Sequence, residues 1–317
     1  MNNKVLLSGI VSVFNGENEI EDCLKSLSFA DEIIVVNNSS TDKTEDIARK
    51  YTNKIFIRPN NPMLNVNKNF GFTKAKGEWI LNLDADERVS PELQKEIKSE
   101  ILNPRLPKPG TGGQAKPETN GYWIPRKNII FGKWIEHTGW YPDHQLRLFK
   151  NGKGKFEERH VHEMIKVDGE VEYLRGNIIH YNYSTISQFL NKLNIYVTNE
   201  AEQLITNGYK FEWQDAIRFP VQEFLSRYFA RQGYKDGFHG LILSILMAFY
   251  HLLVIAIIWE KLGFQKVESD NLNSEIKKEV KKSYKDLLYW ISNEKIKSIK
   301  NPLKKIAHKV IAKLKLQ

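Results

Sequence analysis

The stretch W79-I-L-N-L-D-A-D-E-R-V-S-P91 decides how this chain is read. Four of the five residues from Trp79 to Leu83 are apolar or aromatic, and the run stops on two acids, Asp84 and Asp86, with one alanine between them. Residues i and i+2 of a strand share a face, so this spacing predicts both carboxylates on one side at the carboxyl end of a buried strand. Two like charges so close repel, and a shared proton or a divalent cation relieves them. With oxygen donors and no cysteine nearby, that cation would be a hard one, Mg²⁺ or Mn²⁺. The alternative is that the two acids merely cap or solvate the loop before a helix starting at Ser90-Pro91, where proline at the first helical position is a start signal.

Working outward, the first hundred residues alternate between two periodicities. Val5–Phe14, Glu32–Val36, Lys54–Ile57 and Glu78–Leu83 are short apolar runs of the kind seen in parallel strands covered on both faces. Between them lie helical patterns: Ile20, Leu24 and Leu27; then Ile47, Ala48 and Tyr51, entered through Thr41-Asp42 with Glu45 as a capping partner; then Val66 to Ala75, ending at Gly77. The order βαβαβαβ predicts an α/β fold with a parallel sheet, whose ligands bind where the strands' carboxyl ends open. Residues 103–120 hold four prolines and three glycines and read as a loop, either a lid or a tolerated insertion. Short strands are expected at Tyr122–Pro125, Ile129–Trp134, Gln145–Phe149, Met164–Val167 and Ile178–Tyr183, followed by helices near 185–206 and 213–231, the second holding Pro220. Cys23, the single cysteine, shares helical spacing with Ile20, Leu24 and Leu27 and reads as core.

Charge is unevenly placed. Residues 261–317 carry 15 Lys against 6 Asp and Glu, a net +9, which equals the net charge of the whole chain, so residues 1–260 are neutral. A neutral body with a basic end points to docking by that end. From Lys295 to Lys315 there are eight lysines and no acid, interleaved with Ile296, Ile299, Leu303, Ile306, Val310, Ile311 and Leu314. This pattern predicts a basic amphipathic helix suited to an anionic membrane surface, or else a solvated terminal helix. Aromatic residues for base stacking are missing from residues 295–317, so nucleic acid is not expected as a partner. Leu241 to Trp259 is nineteen residues without a formal charge. It reads as a helix buried or lying in the membrane interface in preference to a span, because a span would place the lysine-rich tail across the bilayer from the body.

With these pieces in place the sequence resembles the family 2 glycosyltransferases of GT-A fold. The motifs are I10-V-S-V-F-N-G-E-N-E-I, I33-I-V-V-N-N-S-S-T-D-K-T, N67-K-N-F-G, L81-N-L-D-A-D-E, W123-I-P-R, G139-W-Y-P-D-H-Q-L-R-L-F, V161-H-E and Y234-K-D-G-F-H-G-L-I. The longer pattern is similar to the subgroup that builds the lipopolysaccharide core. Hydropathy and charge set apart an apolar helix at 233–265, buried or membrane-interfacial, and a basic amphipathic tail at 266–317, and the resemblance implies a Rossmann-like catalytic domain at 1–232. It also implies an inverting transfer of a sugar, a hexose such as glucose, from a nucleotide-diphosphate sugar to a lipid-linked saccharide at the cytoplasmic face of the inner membrane. Asp86 would hold Mg²⁺ or Mn²⁺ on the diphosphate, with Asp84 on the metal or the ribose, and Lys68 near the phosphates. Asn37 stands where the family commonly has a base-binding aspartate, and Asp42 belongs to the same donor-side motif. A uridine nucleotide is therefore an expectation carried by an amide.

Asp143 matches the family's general-base position, and the aromatic residues around it predict a carboxyl raised by desolvation. Arg147 would hold a diphosphate or an acidic group on the acceptor. His162 and Glu163 lie in a motif where His160 and His162 share period-2 spacing, either as ligands or as ordinary strand residues. Two rival functions remain: a transferase using a polyisoprenyl-phosphate acceptor, and a catalytically silent saccharide-binding or scaffold protein.

Overall fold

The computed structural model describes residues 5–61, 63–102, 118–158, 163–267, 271–299 and 301–308. The chain divides into two compact units, one formed by residues 1–130 and 141–182, the other by 131–140 and 183–317.

The first unit is built on one mixed sheet. Its strands are β1 (Leu7–Val13), β2 (Glu32–Asn37), β3 (Ile55–Ile57), β4 (Trp79–Asp84), β5 (Glu87–Val89) and β6 (Thr119–Ile130). After β7 (Lys133–Trp134), which belongs to the second unit, come β8 (Asp143–Lys150), β11 (Glu170–Tyr173) and β12 (Ile178–Tyr183), while β9 (Gly154–Lys155) and β10 (Lys166–Val167) pair with each other as a separate two-stranded sheet. Helices α1 (Ile20–Ser26), α2 (Thr44–Ala48), α3 (Leu64–Phe72) and α4 (Pro91–Leu102) alternate with the early strands. The sheet runs β3-β2-β1-β4-β8-β6-β12-β5. Its first four strands are parallel, and β8 then joins β4 in the antiparallel sense. The expected βαβαβαβ order is present, with strand ends within two residues of the sequence reading.

Parallel strands sandwiched between helices must bury both faces, and β1 and β4 are accordingly almost wholly buried. Alternate residues feed two cores. Val11, Leu81 and Leu83 pack with Cys23, Leu24 and Leu27 of the α1 side, while Ile10, Ile34 and Ile80 pack with Phe72 of α3 and with Phe149. Asn82 and Asp84 have the parity of Ile80, so β4 delivers its first acid to the α3 side. Gly71 permits the close approach of α3: a Cβ there would come within 2.9 Å of the Ile10 side chain and 3.0 Å of that of Val36.

Differences from the sequence reading have local causes. Tyr122–Pro125 and Ile129–Trp134 were expected as separate strands, yet β6 runs from Thr119 to Ile130 with Pro125 inside it opposite His144 of β8, and β7 is a separate two-residue strand. Strands β5 and β11 were not expected; three and four residues are too short for periodicity to register. The Asp42/Glu45 capping pair does not form: α2 has no side-chain cap, and the Glu45 carboxylate instead accepts from Asn37. Most of the proline-rich stretch, 103–117, lies outside the described residues.

The second unit is helical. It contains α5 (Ile186–Thr206), α6 (Asp215–Leu225) with Pro220 inside it, a π-helical turn at Ser226–Ala230, a 3₁₀ turn at Gly233–Asp236, α7 (Phe238–Lys261) and α8 (Leu272–Ser298). Thr185 caps α5 by accepting from the Gln188 N–H at 3.1 Å. Asp236 is buried and accepts from the His137 N–H at 2.9 Å, which ties the 131–140 segment to the 3₁₀ turn. One face of α7 is buried through Leu243, Ser244, Val254, Ile255 and Ile258. The opposite stripe, Phe238, Ile245, Phe249, Leu252 and Trp259, is exposed, Phe238 to 73%. By length and composition α7 is the one helix among the described residues that could cross a membrane.

The expected basic helix from Lys295 onward is interrupted. Helix α8 ends at Ser298, Ile299 is extended, and helix resumes over 302–308 with the Asn301 side chain accepting from the Leu303 N–H. Pro302 disfavours helical backbone at the residue before it, and Asn301 supplies the new cap. Residues 309–317 lie outside the described residues.

Candidate active site

At the carboxyl ends of β1 and β2 two loops are stitched together by short polar side chains. Asp42 accepts from the backbone N–H groups of Glu17 and Thr44, each at 3.0 Å, and the Thr44 hydroxyl accepts from the Gly16 N–H at 2.8 Å. Asn15 accepts from the Thr41 N–H at 2.8 Å. Asp42 thus shapes this rim through backbone contacts. Asn37 is 1% exposed; its amide oxygen accepts from the Ser40 N–H at 2.9 Å and its nitrogen donates to Glu45 at 3.0 Å. Both ends of the amide expected to meet a nucleobase are therefore already engaged, by Ser40 in the loop and by Glu45 on α2.

Around the end of β4 the charges gather. Asp84 meets the Lys68 ammonium at 2.5 Å through Oδ1 and the Arg147 guanidinium at 2.6 Å through Oδ2. Lys68 comes from α3 and Arg147 from β8. Burial pushes the Asp84 carboxyl up, but Arg147 and Lys68 outweigh it and hold the group well below the usual carboxylate range. Glu87, fully buried, accepts from Arg147 Nη2 at 2.8 Å and Arg126 Nη1 at 3.0 Å, and from the Asp84 N–H at 3.0 Å. Arg126 reaches on to Asp143, donating through Nε at 2.8 Å and Nη2 at 2.5 Å to Oδ2. Asn128 adds a third donor to Oδ2 at 3.2 Å, while Gln145 donates to Oδ1 at 2.8 Å.

These contacts reverse the expectation for Asp143. Burial raises its carboxyl, yet Arg126, Gln145 and Asn128 together bring it below its ordinary value. Asp143 is an anion at neutral pH. Oδ2 is occupied by Arg126 and Asn128, so Oδ1, whose contact is Gln145, is the oxygen better placed to take a proton.

Asp86 takes different partners from Asp84. Strand β4 ends at Asp84, and a turn precedes β5, so the period-2 alternation does not extend to Asp86. Its side chain is 29% exposed and lies 3.4 Å from His180 Nε2, and the other ring nitrogen of His180 is 2.7 Å from the Asn128 amide oxygen. Among the described residues no three His, Cys, Asp or Glu side chains gather as a metal cage. A hard dication needs only one or two carboxylates when phosphate oxygens complete its shell. Asp86 fits that donor set. Asp84, with both oxygens ion-paired, fits it only if Lys68 or Arg147 lets go.

Glu163 accepts from the Glu158 N–H at 2.7 Å, and His162 lies outside the described residues. Cys23 is buried, as its helical spacing implied. The structure brings together Lys68, Asp84, Asp143 and Arg147 and adds four residues to which the sequence reading gave no role: Glu87, Arg126, Asn128 and His180. A buried acid directly after the acidic pair was the available signal for Glu87, and the arginine of W123-I-P-R was that for Arg126.

A parallel nucleotide-binding half whose fourth strand ends in acids, extended by antiparallel strands that bring in a further carboxylate, defines the GT-A class of fold. Residues 8–151 match the family model described as Glycosyl transferase family 2, in agreement with the resemblance read from the motifs. The chain is 27% identical over 265 residues to the lipopolysaccharide core biosynthesis glycosyltransferase LpsC of Rhizobium meliloti (strain 1021), covering 81% of this chain and 93% of that protein. It is 29% identical over 231 residues to the uncharacterized glycosyltransferase RP128 of Rickettsia prowazekii (strain Madrid E), covering 72% and 78%. Among solved structures, S. aureus TarS 1–349 in complex with UDP is more distantly similar, at 15% identity and a TM-score of 0.41 over 84% of this chain and 94% of that one.

Proposed function

We propose that the chain transfers a hexosyl unit, with inversion, from a nucleotide-diphosphate sugar to a lipid-linked saccharide such as a lipopolysaccharide core. The observation that supports this most is the continuous set of contacts from Asp84 through Glu87 and Arg126 to Asp143, which joins the donor-side acids to a partly exposed carboxylate. In this reading the acceptor hydroxyl oxygen bonds to the anomeric carbon, and the bond to the diphosphate breaks with its electron pair leaving on the phosphate oxygen. Asp143 Oδ1 receives the hydroxyl proton. Asp86 would hold Mg²⁺ or Mn²⁺, which when bound supplies Lewis-acid neutralisation of the departing diphosphate. Lys68 and Arg147 hold Asp84 in place and carry positive charge beside the diphosphate. A uridine nucleotide stays the proposed donor by family resemblance, recognised through loop backbone, since the Asn37 amide is already engaged.

The exposed stripe of α7 and the basic residues of 261–317 support peripheral attachment to the cytoplasmic face of the inner membrane, where such an acceptor is anchored. A panel of nucleotide sugars assayed with and without Mn²⁺ tests the proposal. Turnover that needs the ion and falls in Asp86→Ala is expected. No turnover of any donor favours a silent saccharide-binding protein.

A further inference from the structure

We propose that Glu87 is a positioning residue: it fixes the spacing between the turn that carries Asp84 and Asp86 and the carboxylate of Asp143, acting through Arg126. This rests on the reading of Asp143 as the base. Glu87 opens β5 and pairs in register with His180 of β12, and its side chain has no exposed surface. A carboxylate in that position is costly unless its lone pairs are met. They are met by groups that each lead elsewhere. Arg126 spends Nη1 on Glu87 and Nε and Nη2 on Asp143, so one planar guanidinium sets the separation of the two acids. Arg147 does the same between Glu87 and Asp84 through Nη2, and the Asp84 N–H donates to the remaining Glu87 oxygen.

Glu87 is thus the shared member of two arginine bridges, within a cluster of three anions (Asp84, Glu87, Asp143) and three cations (Lys68, Arg126, Arg147) that is neutral overall. The residue type follows from the geometry. Glutamine would set an N–H₂ donor against either the Asp84 N–H or a guanidinium, and aspartate is one methylene too short to keep all three contacts. A purely stabilising role could be filled by apolar side chains of equal volume.

The test is a double-mutant cycle on Glu87→Gln and Asp143→Asn. It measures single-turnover rates with UDP-glucose, UDP-galactose or UDP-N-acetylglucosamine, whichever reacts fastest with the wild type. Misplacing a base by about 1 Å costs roughly 10²-fold, so Glu87→Gln alone is expected to lose about that much. In the Asp143→Asn background the same change is expected to lose less than about threefold, because the group it positions is gone. Equal losses in both backgrounds overturn the positioning role and leave the base assignment standing. Full activity of Asp143→Asn overturns the base assignment instead, and no turnover of any donor removes both. Should Glu87→Gln fail to fold, Arg126→Lys takes its place in the cycle: it keeps the charge but lacks the fork that spans Glu87 and Asp143, and the same non-additivity is required of it.

Discussion

The two units break the usual rule of burial in opposite directions. In the sheet unit, charged side chains are drawn inward: Glu87 is fully buried, and Arg147 and Lys68 nearly so. In the helical unit, large apolar side chains are turned outward along α7 and at Leu262 and Phe264. Buried charge is tolerated only where partners are supplied, and exposed apolar stripes mark surfaces that meet something apolar. The first departure fits a small, highly charged ligand, the second a lipid interface. In the proposed function the two units would meet different partners.

The largest expected effect lies in the sheet unit. Asp143→Asn should lower transfer by about 10² to 10⁴-fold, as removal of a general base does, with nucleotide affinity nearly unchanged; steady-state transfer and nucleotide titration check both halves. An equal loss of affinity would assign Asp143 to binding.

The contrast sharpens at Glu223, a half-buried carboxylate of the helical unit that is ion-paired with Arg227. Burial raises its carboxyl, but the His251 ring at 3.7 Å and the Arg227 guanidinium outweigh it and bring it down to about 2 from 4.5. A depressed carboxyl contributes stability that is complete above pH 4.5 and is lost as pH falls toward 2. Glu223→Gln should therefore remove about 2 to 3 kcal/mol near neutral pH and flatten the acid limb of the unfolding profile in that window. Thermal melts from pH 2 to 7 read it out, and an unchanged limb would make the pair a surface ornament in energetic terms.

Smaller effects belong to the exposed face. Phe249→Asp should weaken flotation with vesicles of 30% anionic lipid by about tenfold, roughly the worth of one apolar side chain in the interface. Lys304→Gln should weaken it by a few fold, about the share of a single lysine at an anionic surface. If either change left flotation as it was, that part of the second unit would not be the contact.

Much of the first contrast was legible in the chain. The apolar strand runs and the helical spacing of Ile20, Leu24 and Leu27 are local patterns, and they located β1 to β4, α1 and the core position of Cys23. The clustering of Lys68, Asp84, Asp143 and Arg147 came through family motifs. What was not legible depends on distant pairing. Nothing within seven residues of Glu87 says that two arginines from β6 and β8 will close on it, and Asn37 looked free because its partner Glu45 was assigned to a helix cap. The long α8 was missed although Leu272, Ile276, Val280, Tyr284, Leu287 and Ile291 have helical spacing, because the tail was read for its charge, and the new helix start at Asn301 turned on one proline.

The proposed donor site stands on Asp86, in the turn after β4, taking a divalent ion. Calorimetric titration of UDP, with and without Mn²⁺, into the wild type and Asp86→Ala tests it directly. Mn²⁺ should tighten UDP binding by at least about tenfold in the wild type and leave it unchanged in the variant. Equal enhancement by Mn²⁺ in both proteins would contradict it.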